Sequence, residues 1–217
     1  MSTTTRLLSL DVLRGITAAG IILVNNAGAC GYSYAPLRHA KWDGFTPADL
    51  VFPMFMFLMG ISTYISLRKY NFQWRISIGK ITKRALLLIL IGIAMKWIIN
   101  SSATGNWMDW EHLRILGVMQ RLGICYGVTA VMALFISHKR FFPVASLMLI
   151  GYFVLQVVGN GFEQSADNIM AIVDSSILGA NHMYLQGSQF VEPEGILSTI
   201  PAIAQVMMGF ACGRMII

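Results

Sequence analysis

The sequence predicts an all-α polytopic membrane protein with about six transmembrane helices and both termini on the cytoplasmic side. Three observations predict it. Of the 217 residues, 56% are hydrophobic and only 12% are charged, against roughly a quarter charged in ordinary soluble domains. The apolar residues gather into runs close to the roughly 20 residues that cross a hydrocarbon core. The Lys and Arg residues then fall in alternate loops, as short cytoplasmic loops require.

The first span runs from about Val12 to Gly28, interrupted by Arg14 and by Asn25-Asn26. The second, Leu50 to Leu67, carries no charge. The third runs from Ala85 to Ile99 with Lys96 near its end. The fourth, Ile115 to Ile136, encloses Arg121. The fifth is Phe141 to Val158, and the sixth is Ile196 to Ile217 with Arg214 near its end. Between the second and third spans lie Arg68, Lys69, Arg75, Lys80, Lys83 and Arg84, and the turn before the fifth holds Lys139 and Arg140. The loop from Gly159 to Gly195 has no Lys or Arg but carries Glu163, Asp167, Asp174, Glu192 and Glu194. Alternation of this kind makes the chain N-in and C-in. Ala27-Gly28-Ala29-Cys30 looks like a processing site, but Arg14 and the five later spans favour an uncleaved anchor.

The formal charge of +6 does not mark a nucleic-acid protein, because the basic residues sit between apolar runs rather than along one amphipathic face. Cys30, Cys125 and Cys212 fit neither a zinc spacing nor a disulfide framework, so no metal is expected. Nothing divides the chain, and residues 1–217 read as a single domain.

Polar groups in or beside a membrane are costly and therefore candidates for function. Asp11 and Arg14 lie three apart at the inner start of the first span and can pair. On the outer side, His39 stands between Arg38 and Lys41, whose charges favour a neutral imidazole suited to general-base work. Thr46, Pro47 and Asp49 read as N-cap, first helical residue and first-turn acid. Arg121, roughly 9 Å into the fourth span at about 1.5 Å per residue, wants a carboxylate or a bound anion, with Asp49 and Glu194 as the natural protein partners. Glu194 stands where the N-terminus of the sixth span favours negative charge. Arg14, Lys80, Lys83 and Arg84 gather at inner helix ends, where they suit a phosphorylated ligand or anionic lipid.

Taken in order, these motifs resemble a known family. Ser9-Leu10-Asp11-Val12-Leu13-Arg14-Gly15, Val24-Asn25, His39-Ala40-Lys41-Trp42-Asp43-Gly44 and Thr46-Pro47-Ala48-Asp49-Leu50-Val51-Phe52-Pro53 are similar to the heparan-alpha-glucosaminide N-acetyltransferases. Met119-Gln120-Arg121-Leu122-Gly123 and Pro193-Glu194-Gly195-Ile196-Leu197 continue the likeness over essentially the whole chain. The resemblance implies an acyltransferase that moves an acetyl group from cytoplasmic acetyl-CoA to an amino sugar or glycan across the membrane. It places the active-site histidine on His39 and the asparagine on Asn25, with Asn26 as the alternative register; Asp49 is taken as a further catalytic candidate. Arg14, Lys83, Arg84, Gln120 and Arg121 would then bind the donor, and Asn26, Trp42 and Glu194 the acceptor, with Asn181, His182 and Tyr184 covering it.

Family members have about ten or eleven spans, so the chain is expected to be incomplete at its C-terminal end. It would act with a missing C-terminal half or as a homo-oligomer, within lipid of a bacterial inner membrane. The competing class is a small-molecule or glycan-precursor transporter without covalent chemistry, which would bind its substrate near the bilayer centre.

Overall fold

A computed structural model describes residues 7–26, 34–40, 42, 44–107, 110, 113–165, 167–186 and 189–216. Seven helices are found among them: α1 (Leu8–Asn25), α2 (Pro47–Arg68), α3 (Trp74–Thr104), α4 (Val118–Phe135), α5 (Phe141–Val158), α6 (Ile169–Leu178) and α7 (Thr199–Ile216). All but α6 are long and apolar enough to cross a membrane, so the all-α polytopic prediction holds and this is an integral membrane protein. Lys41 and Cys30 lie outside the described residues.

The observed helices differ from the predicted spans mainly at polar ends. α3 begins eleven residues before the predicted Ala85, because hydropathy marks the apolar slab whereas the backbone hydrogen-bond ladder runs on into water. At about 1.5 Å per residue its 31 residues extend about 46 Å, well beyond a hydrocarbon core of roughly 30 Å. The loop after α5 holds two elements that hydropathy did not mark, the short helix α6 and an antiparallel ribbon. In that ribbon β1 (Tyr184–Gln186) pairs with β2 (Gln189–Val191), with Tyr184 opposite Val191.

Packing centres on α2 against α7, with α4 and α5 flanking α7, α3 on α4 and α1 on α2. The α2–α7 contact is unusually close, and glycine is the cause. A Cβ added to Gly60 would stand 2.1 Å from the Val206 carbonyl oxygen, and one on Gly209 would stand 2.0 Å from that of Phe57. One turn on, Gly213 meets the Ile61 backbone at 3.1 Å. Gly209 and Gly213 thus form the small-xxx-small stripe that lets membrane helices touch backbone to backbone. Residue 57 lies beside 209 and 61 beside 213, so the two helices run parallel, as the three crossings between them, α3, α4 and α5, demand. At one end of this pair Tyr64, Phe72, His138, Phe141 and Phe210 interlock, with Phe141 stacked on Phe210 at 4.5 Å.

Candidate active site

His39 follows the short 3-10 turn Ala35–Leu37, in the loop that leads into α2. Thr46 and Pro47 start that helix where the sequence predicts, as N-cap and first helical residue. Its first-turn acid then serves two masters. The Thr46 backbone N–H donates to Asp49 Oδ2 at 3.0 Å and the Thr46 hydroxyl donates to the same oxygen at 2.9 Å. The Ala40 N–H reaches it at 3.3 Å. Asp49 Oδ1 meets His39 Nδ1 at 2.6 Å. A carboxylate on Nδ1 fixes that nitrogen as the protonated one and leaves Nε2 as the basic atom. The imidazole is 62% exposed and Asp49 25%, so the anchoring side is sheltered and the reacting side is open.

The two asparagines are separated by their hydrogen bonds. Asn26 ends α1, and its Nδ2 donates to the Ile22 carbonyl at 2.8 Å, so its amide is used in closing the helix. Asn25 projects from the last turn and is exposed. Gly20 of α1 lies against Val51 of α2, since a Cβ on Gly20 would sit 3.2 Å from the Val51 side chain. In this antiparallel pair, five residues on from Gly20 is level with five residues back from Val51. Asn25 is therefore at the height of Thr46, the end of α2 that holds Asp49 and His39. Trp42 closes the loop from its far side, its indole N–H donating to the Phe162 carbonyl at 2.7 Å.

Arg121 lies differently from expectation. α4 begins at Val118 rather than Ile115, because residues 113–117 adopt no regular structure. Arg121 therefore stands in the first turn, about 4.5 Å from the helix start, instead of roughly twice as deep. Its guanidinium binds neither Asp49 nor Glu194. It donates to the carbonyls of Pro193 at 3.1 Å and Gly195 at 3.4 Å, and to the Ser198 hydroxyl. Nor does Glu194 cap the last helix, which starts at Thr199. Glu194 and the fully buried Glu192 both pair with Arg114, whose Nε donates to Glu192 at 2.9 Å. Burial opposes the charge on Arg114, but the two carboxylates outweigh it and hold the guanidinium pKa above its usual value. Asp174, on α6, is buried against Gly195 and accepts from the Ile196 N–H at 2.8 Å. One loop, 192–198, is thus clamped from α4, α6 and the segment before α4.

Arg114 and Asp174 were not singled out from the sequence. The signals were there, an arginine set in Leu113-Arg114-Ile115 and one acid alone in the apolar run Ile169–Leu178. Their partners lie 78 and 22 residues away, beyond the reach of helical spacing.

Two buried donors beside this loop lack partners among the described residues, Gln120 Nε2 and Arg121 Nε. Such orphans cost about 1–3 kcal/mol each, and they suit an acceptor-rich ligand at the start of α4. The basic residues form no single cradle. Arg14 pairs with Asp11 at 3.9 Å on α1, as predicted. Arg84 stacks over Tyr126 of α4 at 4.7 Å, and Lys83 is exposed on the apolar outer face of α3 with Leu86, Leu87 and Leu90. Among the described residues no group of three or more His, Cys, Asp or Glu side chains is placed to hold a metal ion.

Comparison with known proteins identifies the family. The chain is 31% identical to human heparan-alpha-glucosaminide N-acetyltransferase over an alignment of 263 positions, covering 98% of this chain and 39% of that protein. It is 28% identical to the mouse protein of the same name, covering 100% of this chain and 40% of that one. The chain thus spans about two-fifths of the length of these curated relatives. The profile described as "Heparan-alpha-glucosaminide N-acetyltransferase, catalytic" matches residues 6–217, and the chain belongs to that family.

Proposed function

We infer that the chain carries the acyl-transfer centre of a transmembrane acetyltransferase, and that the Asp49–His39 pair is its base. The observation that carries the reading is the 2.6 Å contact at Nδ1, made at an exposed helix mouth and leaving Nε2 open. The acceptor is an amino sugar or a glycan ending in one. Its amine attacks the thioester carbonyl of acetyl-CoA, the carbon–nitrogen bond forms as the amine proton passes to His39 Nε2, and the carbon–sulfur bond breaks with the CoA thiolate leaving and taking up that proton. General-base help of this kind contributes typically 10²–10⁴-fold. Asn25, whose amide is not spent on the helix end, donates to the developing oxyanion, a role worth about 3 kcal/mol in well-measured cases.

In this reading α1 starts on the cytoplasmic side, and the donor enters there past Arg14, Lys83 and Arg84. Positive charge in the first turns of α3 and in the turn before α5 supports that orientation. Gln120 and Arg121 meet the donor's acyl end, Trp42 and Glu194 border the acceptor, and the protein works in a cytoplasmic-type membrane facing an outer glycan. Arg14 on α1 and Arg84 on α3 stand apart, and in this reading the donor bridges them.

The test is label transfer from acetyl-CoA to glucosamine in membranes holding the protein. His39→Ala is expected to abolish transfer while acetyl-CoA binding survives. Normal transfer by that variant would overturn the assignment, and label carried across the membrane on unmodified substrate would point to a transporter.

A further inference from the structure

At the end of α3 three tryptophans form a structure that the acyl-transfer reading leaves unused. Trp97 and Trp110 lie almost parallel, 7° apart with ring centres at 5.6 Å, and Trp107 meets Trp97 edge-on at 5.8 Å. The Trp97 indole N–H donates to the Trp107 carbonyl at 3.2 Å, tying the loop back onto the helix. Gly105 makes the turn possible, in the left-handed conformation at φ 69°. Trp107 and Trp110 nevertheless remain 55% and 53% exposed. Ordering two large indoles and leaving half of each in contact with solvent forgoes much of the roughly 150–250 Å² that an aromatic side chain can bury.

The shelf is continuous with the clamped outer loop. The Leu113 N–H donates to the Trp110 carbonyl at 3.4 Å, and the Leu113 carbonyl meets His182 Nδ1 at 2.7 Å. The next residue, Arg114, lies over the Tyr184 ring at 5.5 Å and holds both Glu192 and Glu194. Flat apolar faces therefore stand beside fixed carboxylates and a guanidinium. A pyranose ring has that same duality, an apolar face of C–H bonds and an equatorial rim of hydroxyls, and a protonated amino group is further drawn to aromatic faces.

The geometry points to Trp107 and Trp110 as an accessory subsite that stacks a sugar ring of the acceptor glycan, one removed from the ring that is acetylated. The assignment rests on a glycan acceptor, as inferred above, but predicts something separate, a preference for acceptor length. Tryptophans at this height of a helix also serve as anchors in the membrane interface. In that use the rings face headgroups and have no preference for sugars.

Binding and turnover should therefore be measured separately, with glucosamine and with a tetrasaccharide ending in glucosamine. In the double variant Trp107→Ala/Trp110→Ala, tetrasaccharide affinity, read from indole emission or calorimetry, is expected to fall roughly 3- to 10-fold. Binding and acetylation of free glucosamine stay unchanged, and Trp→Tyr at both positions restores much of the loss. Equal tetrasaccharide affinity in parent and variant overturns the subsite, as does strong quenching of these indoles by brominated lipid in a chain keeping only Trp107 and Trp110. Failure of the parent to acetylate any acceptor would refute the transferase reading and leave the binding measurement to decide the shelf.

Discussion

At the residue scale the proposed centre depends on one carboxylate with two oxygens and two duties. Asp49→Asn keeps an acceptor for the Thr46 N–H but removes the charge that orients the imidazole. Transfer is expected to fall by roughly 10²-fold or more with little change in melting temperature. Asp49→Ala should in addition cost about 1 kcal/mol of stability through the lost helix start, measurable by thermal unfolding in detergent. Asp174 offers a titration. Burial lifts its pKa above the ordinary carboxylate value, against the opposing Ile196 N–H and Arg121. The fold therefore favours the protonated form. That contribution is complete below the unfolded pKa near 3.9 and is lost as pH rises through the higher folded value. Asp174→Asn keeps an acceptor for Ile196 and should flatten this part of the stability–pH curve, followed by melting between about pH 3.5 and 7.

At the element scale, what the sequence disclosed and what it hid divide along the range of the interaction. Thr46, Pro47 and Asp49 declare the start of α2 within four residues, and Asp11 and Arg14 declare their pairing within one turn. Legible too were the apolar slabs, because hydropathy needs no partner. The tie between His39 and Asp49 spans a loop, so the sequence supplied both residues but not the bond. The loop 192–198 was read as a helix start, whereas its acids are taken by Arg114, whose approach nothing local could announce. Arg114→Ala would leave Glu192, a fully buried carboxylate, without its cation, and is expected to destabilise the protein by about 3–5 kcal/mol. The α2–α7 contact can be probed likewise. Gly209→Val or Gly60→Val places carbon where carbonyl oxygen already stands and should unfold the pair or lower its melting temperature sharply. Gly151→Ala, with nothing within 4 Å of the new methyl, serves as the silent control.

At the scale of the whole molecule, the proposed chemistry requires two faces. Single cysteines at positions 39 and 83 in an otherwise cysteine-free chain are expected to react differently with an impermeant maleimide applied to intact cells, position 39 being labelled and 83 protected. Labelling of both from the same side would leave no path for an acetyl group to cross. Trp42 adds a long-range constraint, since its bond to the Phe162 carbonyl joins the loop bearing His39 to the one after α5.

The parallel pairing of α2 with α7 has a consequence for biosynthesis. The notch at Gly60 is made early in translation, but the ridge that fills it, Val206 to Phe210, emerges only after roughly 150 further residues. At about 5–20 residues per second that delay is on the order of 10–30 s. During it the nascent bundle presents a bare backbone groove to lipid, open to capture by any other small-residue helix. A competing small-residue helix supplied in this interval is expected to lower the yield of correctly assembled protein.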